Sequence, residues 1–266
     1  MTAIGIIGDH DPRNETHTAT EDALGHAGAA LGLAIDAGWV PTADVADSSA
    51  DLGRFDGLLV APGSPYHDMN GALRAIEHAR RHDVPLLGTC GGFQHVVIEY
   101  ARNVLGIADA QHAEYDPYAS TLIVTALTCS LAGQTMAIDL QPGTRAAEAY
   151  GTTASAERYY CNFGLDPARV DDLVAGGLRV SGTDERGEVR ILELPGHPFF
   201  VATLFVPQAS STPVRPHPIV TAFVSAARSA SRAGQSLDEA ATRSGAGAVR
   251  PAPAAPSSSR RTRPGA

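Results

Sequence analysis

With 266 residues the chain is long enough to bury a full core, as one large α/β domain or two small ones. All 20 basic residues are arginine, set against 29 acidic ones, and the formal net charge of −9 speaks against a nucleic-acid-binding core. Three irregularly spaced cysteines form neither a disulfide framework nor a zinc pattern, and no apolar run reaches the roughly 18 residues of a membrane span, so small-molecule chemistry in a reducing cytoplasm is expected.

Residues 4–7 form a short apolar run closed by Gly8 and Asp9, a buried strand with a loop at its carboxyl end, and no basic or hydrophobic export segment precedes it. From Thr18 to Ile35, Ala23, Leu24, Ala27, Leu31 and Ala34 recur at helical spacing, with Thr18 and Glu21 as a candidate capping box. Trp39 and Val40 open a second short strand, and residues 55–60 a third, which stops at Ala61-Pro62-Gly63-Ser64-Pro65. Asn70 is the expected cap of a helix running to Arg80.

Residues 84–87 then lead into Gly88-Thr89-Cys90-Gly91-Gly92, after which Phe93, Val96, Val97, Tyr100, Ala101 and Val104 follow the helical template. A cysteine at a strand-to-helix turn flanked by glycines has the pattern of a nucleophile elbow, with the first helical N–H groups directed at the sulfur. An inert buried cysteine is the alternative. The strand and helix order predicts a three-layer α/β fold around a mostly parallel sheet. Residues 122–124, 136–140 and 189–193 read as strands extending that sheet antiparallel. Helical texture returns at 218–227, which places the folded domain at 1–228, and the Ala/Ser/Pro/Arg-rich residues 229–266 read as a disordered tail.

The run from Cys90 to Val104 resembles the nucleophile segment of class I glutamine amidotransferases, in particular the glutaminase domain of CTP synthase, and the likeness covers about residues 3 to 227. Ala61-Pro62-Gly63 resembles that family's oxyanion loop, Glu114-Tyr115-Asp116-Pro117 its acidic glutamine-binding segment, and Arg158-Tyr159-Tyr160-Cys161-Asn162 its arginine-tyrosine segment. The resemblance implies a flavodoxin-like fold and no cofactor or metal. It makes Cys90 the nucleophile that forms a thioester with glutamine and releases ammonia, with Gly63 and Gly91 as oxyanion donors. It also implies that Gln94 contacts the amide, that Glu114 meets the α-ammonium group, and that Arg158 with Tyr159 meets the α-carboxylate.

The family ends a strand in Phe-His-Pro-Glu, where this chain has Phe205-Val206-Pro207-Gln208, so Val206 and Gln208 stand where a base and its orienting carboxylate are expected. His10, His17, His67, His95, His112, His197 and His217 are candidate substitutes, and Cys129 and Cys161 candidate thiol partners. A chain without lysine also carries no G-x-x-x-x-G-K-[ST] phosphate loop, so released ammonia would need its acceptor on a separate synthetase subunit. Three readings follow: an altered amidotransferase in pyrimidine nucleotide metabolism, a non-catalytic glutamine-binding or regulatory protein, and a Cys90-dependent thiol enzyme of another kind. Homo-oligomerisation is left open, and neither nucleic acid nor membrane is an expected partner.

Overall fold

The computed structural model describes the backbone of residues 1–245 and side chains to residue 232. In chain order its elements are β1 (Thr2–Ile7), α1 (Glu15–Leu31), β2 (Ile35–Val40), α2 (Thr42–Ala46), β3 (Gly57–Val60), α3 (Met69–Arg81), β4 (Leu86–Thr89) and α4 (Gly91–Asn103). There follow β5 (Ala110–His112), β6 (Thr121–Ala126), β7 (Thr135–Leu140), α5 (Arg145–Tyr150), β8 (Ala154–Arg158) and β9 (Phe163–Leu165). The last elements of the described residues are α6 (Val170–Ala175), β10 (Arg179–Thr183), β11 (Val189–Glu193), β12 (Phe200–Thr203) and α7 (Pro218–Gly245).

A nine-stranded sheet in the order β2-β1-β3-β4-β12-β11-β10-β7-β8 dominates the fold. The first five are parallel neighbours and the remainder pair antiparallel, which is the expected parallel sheet with an antiparallel extension. Strand order reverses across β1, so right-handed crossovers set α1 and α3 on opposite faces. The inner parallel strands β1, β3 and β4 are apolar on both faces, with Ile4, Ile6, Ile7, Leu58, Leu59, Val60, Leu86 and Leu87 all inaccessible. Among the described residues no helix is long and apolar enough to cross a membrane.

Several boundaries differ from the sequence expectation. Helix α1 begins at Glu15, capped by Asn14, whose side chain accepts from the Thr16 N–H; Glu21 instead accepts from the Trp39 indole at 2.7 Å. It stops at Gly32 in the left-handed conformation, so Ile35 opens β2 rather than closing the helix. Asp68, not Asn70, caps α3, accepting from the N–H groups of Asn70 and Gly71. Residues 122–124 belong to β6 in a separate three-stranded sheet, β5-β6-β9, and do not extend the main one.

The chain divides into compact units at Met1–Ser231 and Arg232–Ala266. Helix α7 continues past the expected boundary at 228 as far as Gly245, since alanine, arginine, glutamine, leucine and glutamate there favour helix without large apolar groups. The rest of the expected tail, residues 246–266, lies outside the described residues.

Candidate active site

Strand β4 and helix α4 meet at Cys90, whose φ of 52° and ψ of −106° are sparsely populated for a residue with a side chain. Such a conformation costs about 1–3 kcal/mol and persists only where its surroundings enforce it. Here the Cys90 N–H donates to Thr203 O at 2.9 Å, and the Gln94 N–H to Cys90 O at 3.2 Å. A Cβ on Gly92 would fall 2.3 Å from Val60 O, so glycine lets α4 start directly against β3. The Arg80 guanidinium reaches the wholly buried Glu99 at 2.6 Å and ties the middle of α4 to α3.

Cys90, 6% exposed, opens on a cavity of about 230 Å³ that Asn14, Gly63, Ser64, Gln94, Glu114, Tyr160, Cys161 and Phe163 help to line. Gly63 has a φ of +96°. The preceding carbonyl, Pro62 O, accepts from His17 Nε2 at 3.0 Å. The Asp11 N–H donates to His17 Nδ1 at 3.0 Å, which leaves the ring proton on Nε2. Because Pro62 C=O and Gly63 N–H point in opposite directions across one trans peptide, this bond turns the Gly63 N–H away from His17. A Cβ on Gly91 would lie 3.2 Å from Ser64 N, so the two glycine turns touch.

Gln94 is clamped rather than free. Its Oε1 accepts from Ser64 Oγ at 3.2 Å and His112 Nε2 at 3.1 Å, and its Nε2 donates to Phe163 O at 2.9 Å. The Glu114 N–H in turn donates to His112 Nδ1 at 3.0 Å. Glu114 Oε2 is buried without a hydrogen-bond partner, an acceptor whose desolvation nothing on the protein offsets.

The arginine-tyrosine segment divides between faces. Arg158 is exposed and does not line the cavity; its guanidinium lies 5.2 Å from the ring centroid of Tyr160, which does. Tyr159, expected at the substrate, is wholly buried in the core against Phe205, with a hydroxyl lacking a partner and a pKa raised by burial. Successive side chains of an extended segment point to opposite faces, so Tyr160 and not Tyr159 reaches the cavity.

Val206 is fully buried, and its N–H donates to Arg158 O at 3.0 Å. Gln208 is buried too, donating from Nε2 to Thr89 Oγ1 at 2.9 Å and Thr20 Oγ1 at 3.3 Å, while its Oε1 has no partner. No histidine is among the residues lining the cavity. His95 bonds Gly91 O at 2.7 Å and the Tyr115 hydroxyl at 3.0 Å, and burial lowers its pKa to about 4. Burial lowers His112 to about 3. His197 bonds Ala79 O, and His217 faces Glu157 at 3.3 Å.

Cys161 is the titratable neighbour that sequence spacing left undecided. It lines the same cavity as Cys90 and donates from Sγ to Leu204 O at 2.9 Å. Burial first, and then the Cys90 thiol, push its pKa well above the ordinary range. Cys129 is exposed and lines a different cavity with Arg186. The Ser64 and His112 clamp on Gln94 and the His17 contact beneath Pro62 carried no sequence signal, since each joins segments far apart in the chain.

Residues 16–226 match the family model described as glutamine amidotransferase class-I. The CTP synthase of Pelotomaculum thermopropionicum is 38% identical over 240 residues, covering 86% of this chain and 45% of the relative. That of Saccharolobus solfataricus is 34% identical over 239 residues, covering 85% and 45%. The chain therefore spans about half the length of the curated relatives it matches. Among solved structures, the Trypanosoma brucei CTPS glutaminase domain with bound acivicin has the same fold, with a TM-score of 0.80 at 24% identity over 86% of this chain and 94% of that one. A glutamine amidotransferase from Thermotoga maritima aligns with a TM-score of 0.51 at 12% identity, over 78% and 76%.

Proposed function

Because this chain belongs to the class I glutamine amidotransferase family, with CTP synthases among its relatives, we propose that its cavity takes glutamine or a closely related amide and that Cys90 is acylated by it. The observation that carries this reading is the unpartnered buried oxygen of Glu114 in the cavity onto which Cys90 opens. An α-ammonium group would satisfy that acceptor, as nothing on the protein does. The Cys90 sulfur attacks the side-chain amide carbon, the N–H groups of Gly63 and Gly91 receive the oxyanion, and collapse to the thioester breaks the C–N bond, the leaving nitrogen departing as ammonia with the proton given up by the thiol. Gln94 shapes the pocket through Ser64 and Phe163, and Tyr160 offers its ring to the far end of the substrate, with the Arg158 guanidinium 5.2 Å from that ring's centroid outside the cavity lining.

Val206 and Gln208 supply neither base nor orienting carboxylate, and general acid–base assistance is worth about 10²- to 10⁴-fold. Acylation of a thiol survives that loss better than hydrolysis of the thioester, which needs an activated water. We therefore read the protein as a slow or partner-dependent glutaminase. A synthetase subunit would accept its ammonia, the place of action would be the cytoplasm, and the context pyrimidine nucleotide metabolism. Binding without turnover is the second reading, favoured by the buried apolar Val206.

Intact-mass measurement after incubation with acivicin or diazo-oxo-norleucine, with glutamate release followed in parallel, tests the proposal. Adduct formation that disappears in Cys90→Ala, with release well below that of a full triad, is the expected result. Glutamine binding without any adduct would leave the binding-protein reading, and neither binding nor adduct would remove glutamine as the substrate.

A further inference from the structure

We propose that Cys90 and Cys161 are a peroxide-sensitive thiol pair, closing to an intramolecular disulfide that caps the nucleophile and reopens on reduction. The two cysteines line one cavity, and the backbone brings them there from both sides of β12. The Cys90 N–H is bonded to Thr203 O and the Cys161 thiol to Leu204 O, consecutive carbonyls at the end of that strand. Neither sulfur has another thiol to meet among the described residues, because Cys129 is exposed and lines a different cavity.

A cavity of about 230 Å³ admits hydrogen peroxide or a small alkyl hydroperoxide, whereas the 6% and 2% exposures of Cys90 and Cys161 exclude large oxidants and other proteins. The Cys90 sulfur, as thiolate, attacks the terminal peroxide oxygen; the O–O bond breaks, water or alcohol leaves, and Cys90 becomes a sulfenic acid. Cys161 then attacks that sulfur as it gives up its proton, the S–S bond forms, and the S–O bond breaks with loss of water. Overall two thiols are oxidised by two electrons and one peroxide is reduced. Because both cysteines line one cavity, the second step is unimolecular and outruns further oxidation of Cys90. Reduction by a small dithiol reverses it, whereas a sulfinic acid would be permanent.

The test uses the full chain, treated with hydrogen peroxide, unfolded in iodoacetamide and digested for mass mapping. The expected product is a cross-linked peptide pair containing Cys90 and Cys161, with Cys129 alkylated, a mass lower by two hydrogens, and full return of thiols after dithiothreitol. In Cys161→Ser, Cys90 should instead pass to sulfinic and sulfonic acids that dithiothreitol does not reverse. Irreversible oxidation of Cys90 in the wild type, or pairing of Cys90 with Cys129, would overturn the proposal. So would persistence of all three thiols at a peroxide dose that oxidises Cys90 in Cys161→Ser. The readout involves no amide substrate, so its failure leaves the glutaminase reading standing, and failure of that reading leaves the thiol pair standing.

Discussion

His17 Nε2 donates to Pro62 O at 3.0 Å, and this single bond fixes the peptide whose N–H belongs to Gly63, the proposed oxyanion donor. Loss of one oxyanion donor costs about 10²- to 10³-fold. A donor that is misdirected rather than removed should cost less, about 10-fold. His17→Phe is therefore expected to slow Cys90 acylation by diazo-oxo-norleucine by that factor, while alkylation by iodoacetamide, which forms no oxyanion, keeps its rate. His17→Gln, which retains an amide donor, should recover part of the loss. Equal slowing of both reagents would mean that His17 supports only the fold.

Glu114 tests the binding half of the proposal. Glu114→Gln keeps size and hydrogen-bonding capacity but removes the charge that an ammonium would meet, a charge-assisted bond worth about 1.5–3 kcal/mol. The dissociation constant of glutamine, read by calorimetry, should rise by about 10- to 100-fold while the melting temperature stays level, because Oε2 makes no hydrogen bond for the substitution to remove. Unchanged affinity would place the ammonium group elsewhere.

The departures at Val206 and Gln208 invite restoration. Val206→His together with Gln208→Glu should raise glutamate release by about 10²- to 10⁴-fold, the range of general acid–base assistance. Gln208→Glu alone should destabilise, since it buries a carboxylate beside the Thr20 and Thr89 hydroxyls with no cation in contact. A double variant that folds and still releases no glutamate would show that the substrate is not glutamine.

Acid should unfold this protein from the histidine side as well as from its carboxylates. His95 and His112 are held neutral by burial, with folded pKa values of about 4 and about 3 against an ordinary 6.5. Between those limits the unfolded chain binds more protons than the folded one, so stability present above about pH 6.5 is lost as the pH falls through the folded values. His95 alone contributes about 3 kcal/mol to that loss by about pH 4. The urea midpoint should fall steadily from about pH 7 to about pH 4.5, and His95→Gln should flatten the slope. A level midpoint over that window would contradict neutral burial.

The seating of α4 is the remaining point of leverage. Arg80→Ala leaves Glu99, wholly buried in the native fold, with only Asn103 Nδ2 at 3.1 Å, and breaking a buried pair costs up to about 3–5 kcal/mol. Thermal unfolding should register that loss, whereas the paired change Arg80→Met with Glu99→Leu should be close to neutral. Equal losses in both variants would mean that packing, not unpaired charge, sets the cost.

Elements whose signals are local can be read from the residues alone. β3 and β4 are apolar runs, α4 repeats its apolar residues at helical spacing, and the glycines around Cys90 announce the strained turn, so β1, β3, β4 and the turn at Cys90 were legible, whereas β12 was not. The site's remaining composition was not. Tyr159 and Tyr160 are adjacent and chemically alike, and only the facing of the segment that follows β8 decides that Tyr160 sees the cavity while Tyr159 packs on Phe205. Residues 122–124 read as a strand extending the main sheet, yet pairing with β5 and β9 takes them into a second sheet. His17 under Pro62, His112 on Gln94 and Cys161 on Cys90 each join segments separated by 18 to 71 positions. Local propensity and periodicity act within a turn or a strand, whereas such contacts exist only once the packed sheet and helices have fixed where distant segments meet.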